Sequence, residues 1–222
     1  MVLDANIVVI GLKARKDRWQ RCRKIFEDNG IEKVYHYGTV QNYDDPYMGY
    51  MTDFLKMLRM FRGEHLMFFE DDFELVSGWE GVLRSAVEEL PKEWDMLYLG
   101  SNLTRPVRQV GRNLVKMGGG WLMHATLLHP NFIEYVLKYY NPRNVKIIDE
   151  WYRGKAEYRN FYMTMPMVSF QRRDYSDFVG QYVYYDIFQN KYYTTAYDAY
   201  ENFKHSTQLR PVAEQRSGVD AA

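Results

Sequence analysis

Short apolar runs, each closed by a glycine or an acid, alternate with stretches whose apolar residues recur at helical spacing. A strand buried on both faces reads as a continuous apolar run, whereas a helix lying on it shows a single apolar stripe. "ANIVVIG" (5–11) is the first such run, β-branched and ending in Gly11. Behind it Trp19, Cys22 and Phe26 mark a helix, and "DNG" (28–30) stops it. "KVYHYG" (33–38) predicts a second strand. Met51, Phe54, Leu55, Leu58 and Phe61 then predict an amphipathic helix, and "HLMFFE" (65–70) a strand that stops at acids. Trp79, Val82, Leu83, Ala86, Val87 and Leu90 give a further helix closed by Pro91. "DMLYLG" (95–100) and "GWLMHATLL" (120–128) read as strands, with Phe132, Ile133, Val136 and Leu137 marking a helix behind them.

This order predicts an α/β architecture, a largely parallel central sheet flanked by helices. Ligands of such sheets bind outside the carboxyl ends of the strands. Gly11 and the acids at 70–72 fall at those ends. The 222 residues suit one domain, taken as 1–185, with a tyrosine-rich segment and tail at 186–222 packing on it or extending from it. That C-terminal segment shows little periodicity and yields no element assignment; its tyrosines would supply stacking platforms for an acceptor sugar or base, or simply cover the core.

Composition narrows the function classes. Hydrophobic residues at 46% and charged residues at 26% support a sizeable core. Lys+Arg and Asp+Glu balance at 29 each, so no net field draws the chain to nucleic acid or an acidic membrane. The single cysteine, Cys22, excludes a disulfide framework and points to a reducing, intracellular setting. No apolar run approaches the roughly 20 residues that span a bilayer, and the N-terminus lacks the basic-then-apolar order of a leader. The expected location is therefore cytoplasmic, with peripheral attachment to a membrane still compatible.

Four stretches carry chemistry. Glu70-Asp71-Asp72 directly follows "LMFF". Hard divalent cations take oxygen ligands, and a carboxylate at a strand mouth can bridge one to a diphosphate. Alternation along extended backbone sets Glu70 and Asp72 on one side and Asp71 on the other, so one of the pair suits a metal and the other ribose hydroxyls. A solvated acidic turn is the plain alternative. Lys13, Arg15, Lys16 and Arg18 follow the first strand, where cations suit a phosphate or nucleotide, or simply a solvated helical turn. In "KIIDEWYRG" (146–154), Asp149 or Glu150 is suited to deprotonate an acceptor hydroxyl, and Arg153 to steady a leaving diphosphate. Acids in the first turn of a helix explain that stretch equally well. "KMGGGWLMHA" offers three glycines for close backbone approach, or a turn, and a core histidine, His124. His205, in the tail, is a further metal candidate. No P-loop, GxGxxG, CxxC or HExxH motif occurs.

Taken in order, "IVVIGLKARKDRWQRC", "HLMFFEDDFEL", "LPKEWDMLYLG", "IIDEWY" and "YMTMPMVSFQ…YSDF" resemble glycosyltransferase family 25, which includes lipopolysaccharide-core and collagen galactosyltransferases. "FFEDDFELVSGW" and "DEWYR" are also similar to motifs of the N-acetylglucosaminyltransferase I family. The resemblance implies a GT-A fold and an inverting, metal-dependent transfer of a sugar from a nucleoside-diphosphate donor, UDP-linked, to a glycan hydroxyl. Carried over by residue, Asp72 would hold Mn²⁺ or Mg²⁺, with Asp71 beside it. Glu70 and Asp71 would contact the nucleoside, which Ile10, Gly11, Lys13, Arg15 and Arg18 would border. Asp149 would be the base and Arg153 would contact the donor phosphates. One stretch departs from the family: Thr52-Asp53 stands where bacterial members carry Ser-His.

Two other readings remain open at this level. One is a non-catalytic nucleotide-sugar or glycan-binding module. The other is transfer to a modified base in DNA, for which Arg105, Arg108, Arg112 and Lys116 would form a local basic patch.

Overall fold

The computed structural model describes the backbone of residues 5–42 and 44–208, and side chains within that range through residue 202. In chain order the elements are β1 (Asn6–Leu12), α1 (Lys16–Asp28), β2 (Tyr35–Thr39), α2 (Pro46–Met60), β3 (Leu66–Glu70), β4 (Phe73–Leu75), α3 (Trp79–Glu88) and β5 (Met96–Tyr98). Then come β6 (Asn102–Leu103), β7 (Arg108–Gln109), β8 (Leu114–Lys116), β9 (Gly120–Trp121), β10 (Ala125–Leu128), α4 (Pro130–Tyr139) and α5 (Ile148–Lys155). The last are β11 (Phe161–Thr164), β12 (Ser169–Gln171), β13 (Asp174–Ser176), β14 (Gln181–Val183), a 3-10 turn at Ile187–Gln189, and α6 (Lys191–Gln208).

An eight-stranded sheet in the order β2-β1-β3-β10-β5-β11-β8-β7 forms the centre. Three pairings, β1–β2, β1–β3 and β5–β11, are parallel. The other four, β3–β10, β5–β10, β8–β11 and β7–β8, are antiparallel. The α/β class holds, but the expected largely parallel sheet is mixed. The reason lies in the excursion that follows β5. It ends at the carboxyl ends of the strands, so β10 re-enters the sheet from there and runs against its neighbours β3 and β5.

Alternation within the strands builds the layers. Ile7, Val9, Met67, Phe69 and Leu97 face one side, where Cys22 and Phe26 of α1 and Leu83 and Ala86 of α3 cover them. Val8, Ile10, Phe68, Met96 and Tyr98 face the other, against α2, α4 and α5. Truncating a fully buried ring such as Phe68 to alanine costs about 3–5 kcal/mol in such a setting. The C-terminal segment, for which the sequence offered no element, forms the 3-10 turn at Ile187–Gln189 and the helix α6 within the described residues. Tyr193, Ala196 and Tyr200 bury one stripe of α6 in the same core as Val8 and Phe68. Among the described residues no helix is long and apolar enough to cross a membrane.

The expected single strand at 120–128 is two strands. Leu122 takes a left-handed backbone (φ 73°) between β9 and β10. A residue with a Cβ rarely occupies that region, and it breaks the extended run.

Candidate active site

A cavity of about 380 Å³ opens at the carboxyl ends of β1, β2 and β3. Its floor is the end of β1 (Ile10–Leu12) and the acidic turn between β3 and β4. Tyr47, Tyr50 and Met51 of α2 form one wall, and Trp121, Leu122 and Asp149 another. The β13–β14 hairpin closes the third side with Phe178, Val179 and Val183, and Tyr185 follows it. Asp45 caps α2 by accepting from the Met48 N–H at 3.1 Å, and Pro46 starts the helix, so Tyr47 and Tyr50 are set at its first turns. Tyr47 stacks on Phe178 and Tyr50 meets it edge-on, with centroids 5.2 and 5.1 Å apart.

The three consecutive acids have three different environments. Glu70 accepts a hydrogen bond from the Tyr50 hydroxyl at 3.0 Å. Burial, with the charges of Asp72 and Asp149 adding to it, pushes its carboxyl well above the usual range. Asp71 pairs with the buried Arg18 at 2.7 Å, and its carboxylate lies so close to Gly11 that a Cβ there would overlap it. Arg21 and the Cys22 thiol donate to its carbonyl. Asp72 accepts from the Gln171 amide at 2.9 Å through one oxygen, whereas the other, Oδ1, is buried with no hydrogen-bond partner. Burial and the charge of Asp71 raise Asp72 to about 6.

Asp149 enters from the first turn of α5. Its Oδ2 accepts from the Leu122 N–H at 3.2 Å. The left-handed turn at Leu122 thus breaks the expected strand and aims a donor at this acid. Burial outweighs the N–H groups of Leu122 and Met123 and lifts the Asp149 carboxyl to about 6. Tyr185 also lines the cavity, and its hydroxyl is raised by burial first and by the charges of Asp72, Glu70 and Asp149.

Of the other candidates, Ile10, Gly11 and Arg18 line the cavity, but Lys13, Arg15, Glu150 and Arg153 do not. Lys13 is exposed, its stem over Gly38. Arg15 bonds Asp177 of the hairpin at 2.7 Å and so braces the wall from outside. Glu150, next to Asp149, is exposed on the far side of the same helical turn. Arg153 lies over the Trp121 ring at 4.4 Å, at the rim. His205 falls among the side chains outside the described residues. The basic cluster is partly consumed: Arg105 faces Glu157 at 3.6 Å, and Lys116 donates to the Arg159 carbonyl and the Asn160 amide oxygen. His124 is fully buried and is held neutral, lowered to about 4 by that burial. Cys22 is also fully buried, its thiol pushed up to about 12, chiefly by burial.

Tyr50 and Gln171 had no signal in the sequence as site residues, and Tyr185 belonged to the tyrosine-rich stretch read only as a stacking platform or a core cover. Among the described residues no group of three or more His, Cys, Asp or Glu side chains is gathered for a metal ion. The unpartnered Oδ1 of Asp72 nevertheless suits a single contact to a hard cation. No family model matches the chain, and neither does any curated protein.

Proposed function

We propose that the chain is an inverting glycosyltransferase of GT-A type, akin to family 25, that moves a sugar from a UDP-linked donor to an acceptor hydroxyl. One observation carries the reading. Asp72 and Asp149, remote in sequence, line one cavity at the strand ends, each raised to about 6, and Asp72 keeps a buried oxygen without a partner.

Asp149 is the base. A carboxylate near 6 is a stronger proton acceptor than an ordinary one and is still ionised at neutral pH. As the acceptor O–H gives its proton to Asp149, its oxygen forms the new bond to the anomeric carbon. The bond from that carbon to the diphosphate breaks, and the electron pair leaves with the diphosphate. The Leu122 N–H orients the carboxylate throughout. Asp72 is the residue that would hold Mn²⁺ or Mg²⁺, and such an ion supplies charge neutralisation for the leaving diphosphate. Glu70, whose carboxyl burial and its acidic neighbours raise well above the usual range, would meet the nucleoside side of the cavity through a hydrogen bond. Arg153, at the rim over Trp121, is the cation that would meet a diphosphate leaving on that side.

The decisive measurement is release of the nucleoside diphosphate from a panel of nucleotide sugars, with Mn²⁺ or Mg²⁺ and with EDTA. Slow metal-dependent release of UDP from one donor is the expected result. No release from any donor, with tight nucleotide binding retained, would make the chain a binding module instead.

A further inference from the structure

The β13–β14 hairpin has two unlike faces. Its cross-strand pairs are Asp174 with Val183, Tyr175 with Tyr182, and Ser176 with Gln181. Directly opposed residues share a face and neighbours alternate. Asp174, Ser176, Gln181 and Val183, with Tyr185 beyond, therefore share one face, which turns inward except at the exposed Gln181 near the tip. Ser176, Val183 and Tyr185 line the cavity, and Asp174 lies 3.4 Å from Arg18. Tyr175, Tyr182 and Tyr184 face outward, exposed by 39%, 72% and 65%. Tyr175 and Tyr182 pack edge to face, and Arg173 lies over Tyr184 at 5.8 Å.

We propose that this outer face is a glycan-binding platform, which holds the distal part of a neutral oligosaccharide acceptor while its reacting end enters the cavity. The proposal rests on the sugar-transfer reading and specifies its acceptor. Three features select that occupant. The platform is continuous with the cavity, because Phe178 and Val179 at the hairpin tip both line the cavity and are exposed. Its exposed groups are hydroxylated rings, with no aliphatic side chain among the three outward positions. Such rings offer flat apolar faces to the C–H side of a pyranose and hydroxyls to its rim. Tyr182 and Tyr184 stand on one side of the chain about 6.6 Å apart, so successive sugar rings can each meet an aromatic one. Charge then argues against a polyanion: between residues 171 and 190 there are two arginines and three aspartates, a net of 2 − 3 = −1. A single-stranded nucleic acid would call for the opposite balance.

The test uses the full chain on an array of neutral and acidic oligosaccharides, followed by calorimetric titration of the strongest neutral ligand. Expected are capture of at least one neutral oligosaccharide and an affinity loss of about tenfold or more in the Tyr182→Ala/Tyr184→Ala double variant. The Tyr182→Phe/Tyr184→Phe variant, which keeps the rings, should stay within about threefold of the parent. Both positions are highly exposed, so the fold is expected to persist, and circular dichroism checks it. Capture of no oligosaccharide, equal affinity in the alanine variant, or displacement by a single-stranded oligodeoxynucleotide overturns the platform. Titration with UDP and Mn²⁺ is read separately. Failure to bind UDP removes the transferase reading, whereas glycan binding that depends on Tyr182 and Tyr184 would leave the platform standing alone.

Discussion

The cavity has two acidic sides that are wired differently. Toward α1, every acid meets a guanidinium: Asp71 meets Arg18 at 2.7 Å, Asp177 meets Arg15 at 2.7 Å, and Asp174 meets Arg18, Arg21 and Arg15 at 3.4, 3.6 and 3.8 Å. Burial raises Asp174, but the Tyr175 N–H and those guanidiniums outweigh it and hold its carboxyl below the ordinary range. Toward α5, Glu70 and Asp149 have no cation among their partners within the described residues, and Asp72 has only Arg18 there, at 3.9 Å. Glu70 takes a tyrosine hydroxyl, Asp72 an amide and Asp149 a backbone N–H, and all three are raised; burial raises Asp71 too, but there Arg18 works against it. The first side spends its charge on holding the hairpin to the core. The second keeps negative charge that the fold itself does not neutralise, which is where a cation or a proton from substrate has something to do.

The largest effect should come from the unpaired side. Asp149→Asn keeps the shape and the Leu122 contact but cannot take a proton, so turnover should fall about a thousandfold, roughly 4 kcal/mol, while UDP binding is retained. Glu150→Gln, on the exposed side of the helix, should stay within a few-fold of the parent. Equal loss in both variants would move the base or dissolve the distinction.

The paired side predicts a stability effect instead. Arg18→Met leaves Asp71 buried without its partner and removes the 2.6 Å bond to the Tyr175 carbonyl, so the hairpin loses an anchor. About 3 kcal/mol of destabilisation is expected, read from the urea midpoint at unchanged slope. A variant as stable as the parent would mean that the ion pairs contribute nothing net. Asp72→Asn should act in the opposite sense. It removes a buried negative charge, so the metal-free protein should gain about 2 kcal/mol, and the thermal shift produced by Mn²⁺ should vanish. Loss of stability together with an intact Mn²⁺ shift would place the cation elsewhere.

The same contrast explains what was legible in the sequence. The layered core and the acids at the mouth of β3 rest on local signals, continuous apolar runs closed by a glycine or an acid with helical stripes between them, and those survive folding. Asp149 was legible as a candidate but not separable from Glu150, because both acids occupy one helical turn and only packing decides which faces inward. Gln171 and Tyr50 reach the acids from β12 and α2, Tyr185 joins the cavity lining from beyond the hairpin, and no spacing rule links such distant segments. The break at Leu122 was hidden because a leucine within an apolar run gives no hint of a left-handed backbone. α6 escaped because tyrosine and alanine, not aliphatic residues, carry its buried stripe.

The smallest expected effect is also the most direct check on the unpaired acids. Asp149 is raised from an ordinary value of 3.8 to about 6 in the folded protein. A carboxyl raised on folding contributes stability in its protonated form. That contribution is complete below the unfolded value and is lost as pH rises through about 6. Acidification of the whole protein mixes this with the histidines: burial lowers His36, His65 and His129, so their protonation favours the unfolded chain over the same range. The difference between the parent and Asp149→Asn cancels the histidines. In EDTA the asparagine variant should be the more stable at pH 7, where the parent carries a buried charge. The gap should narrow by about 1 kcal/mol on going to pH 5, where the parent carboxyl is neutral. A gap constant from pH 5 to pH 7 would mean that Asp149 titrates like a solvated acid, and the chemical difference between the two sides of the cavity would go with it.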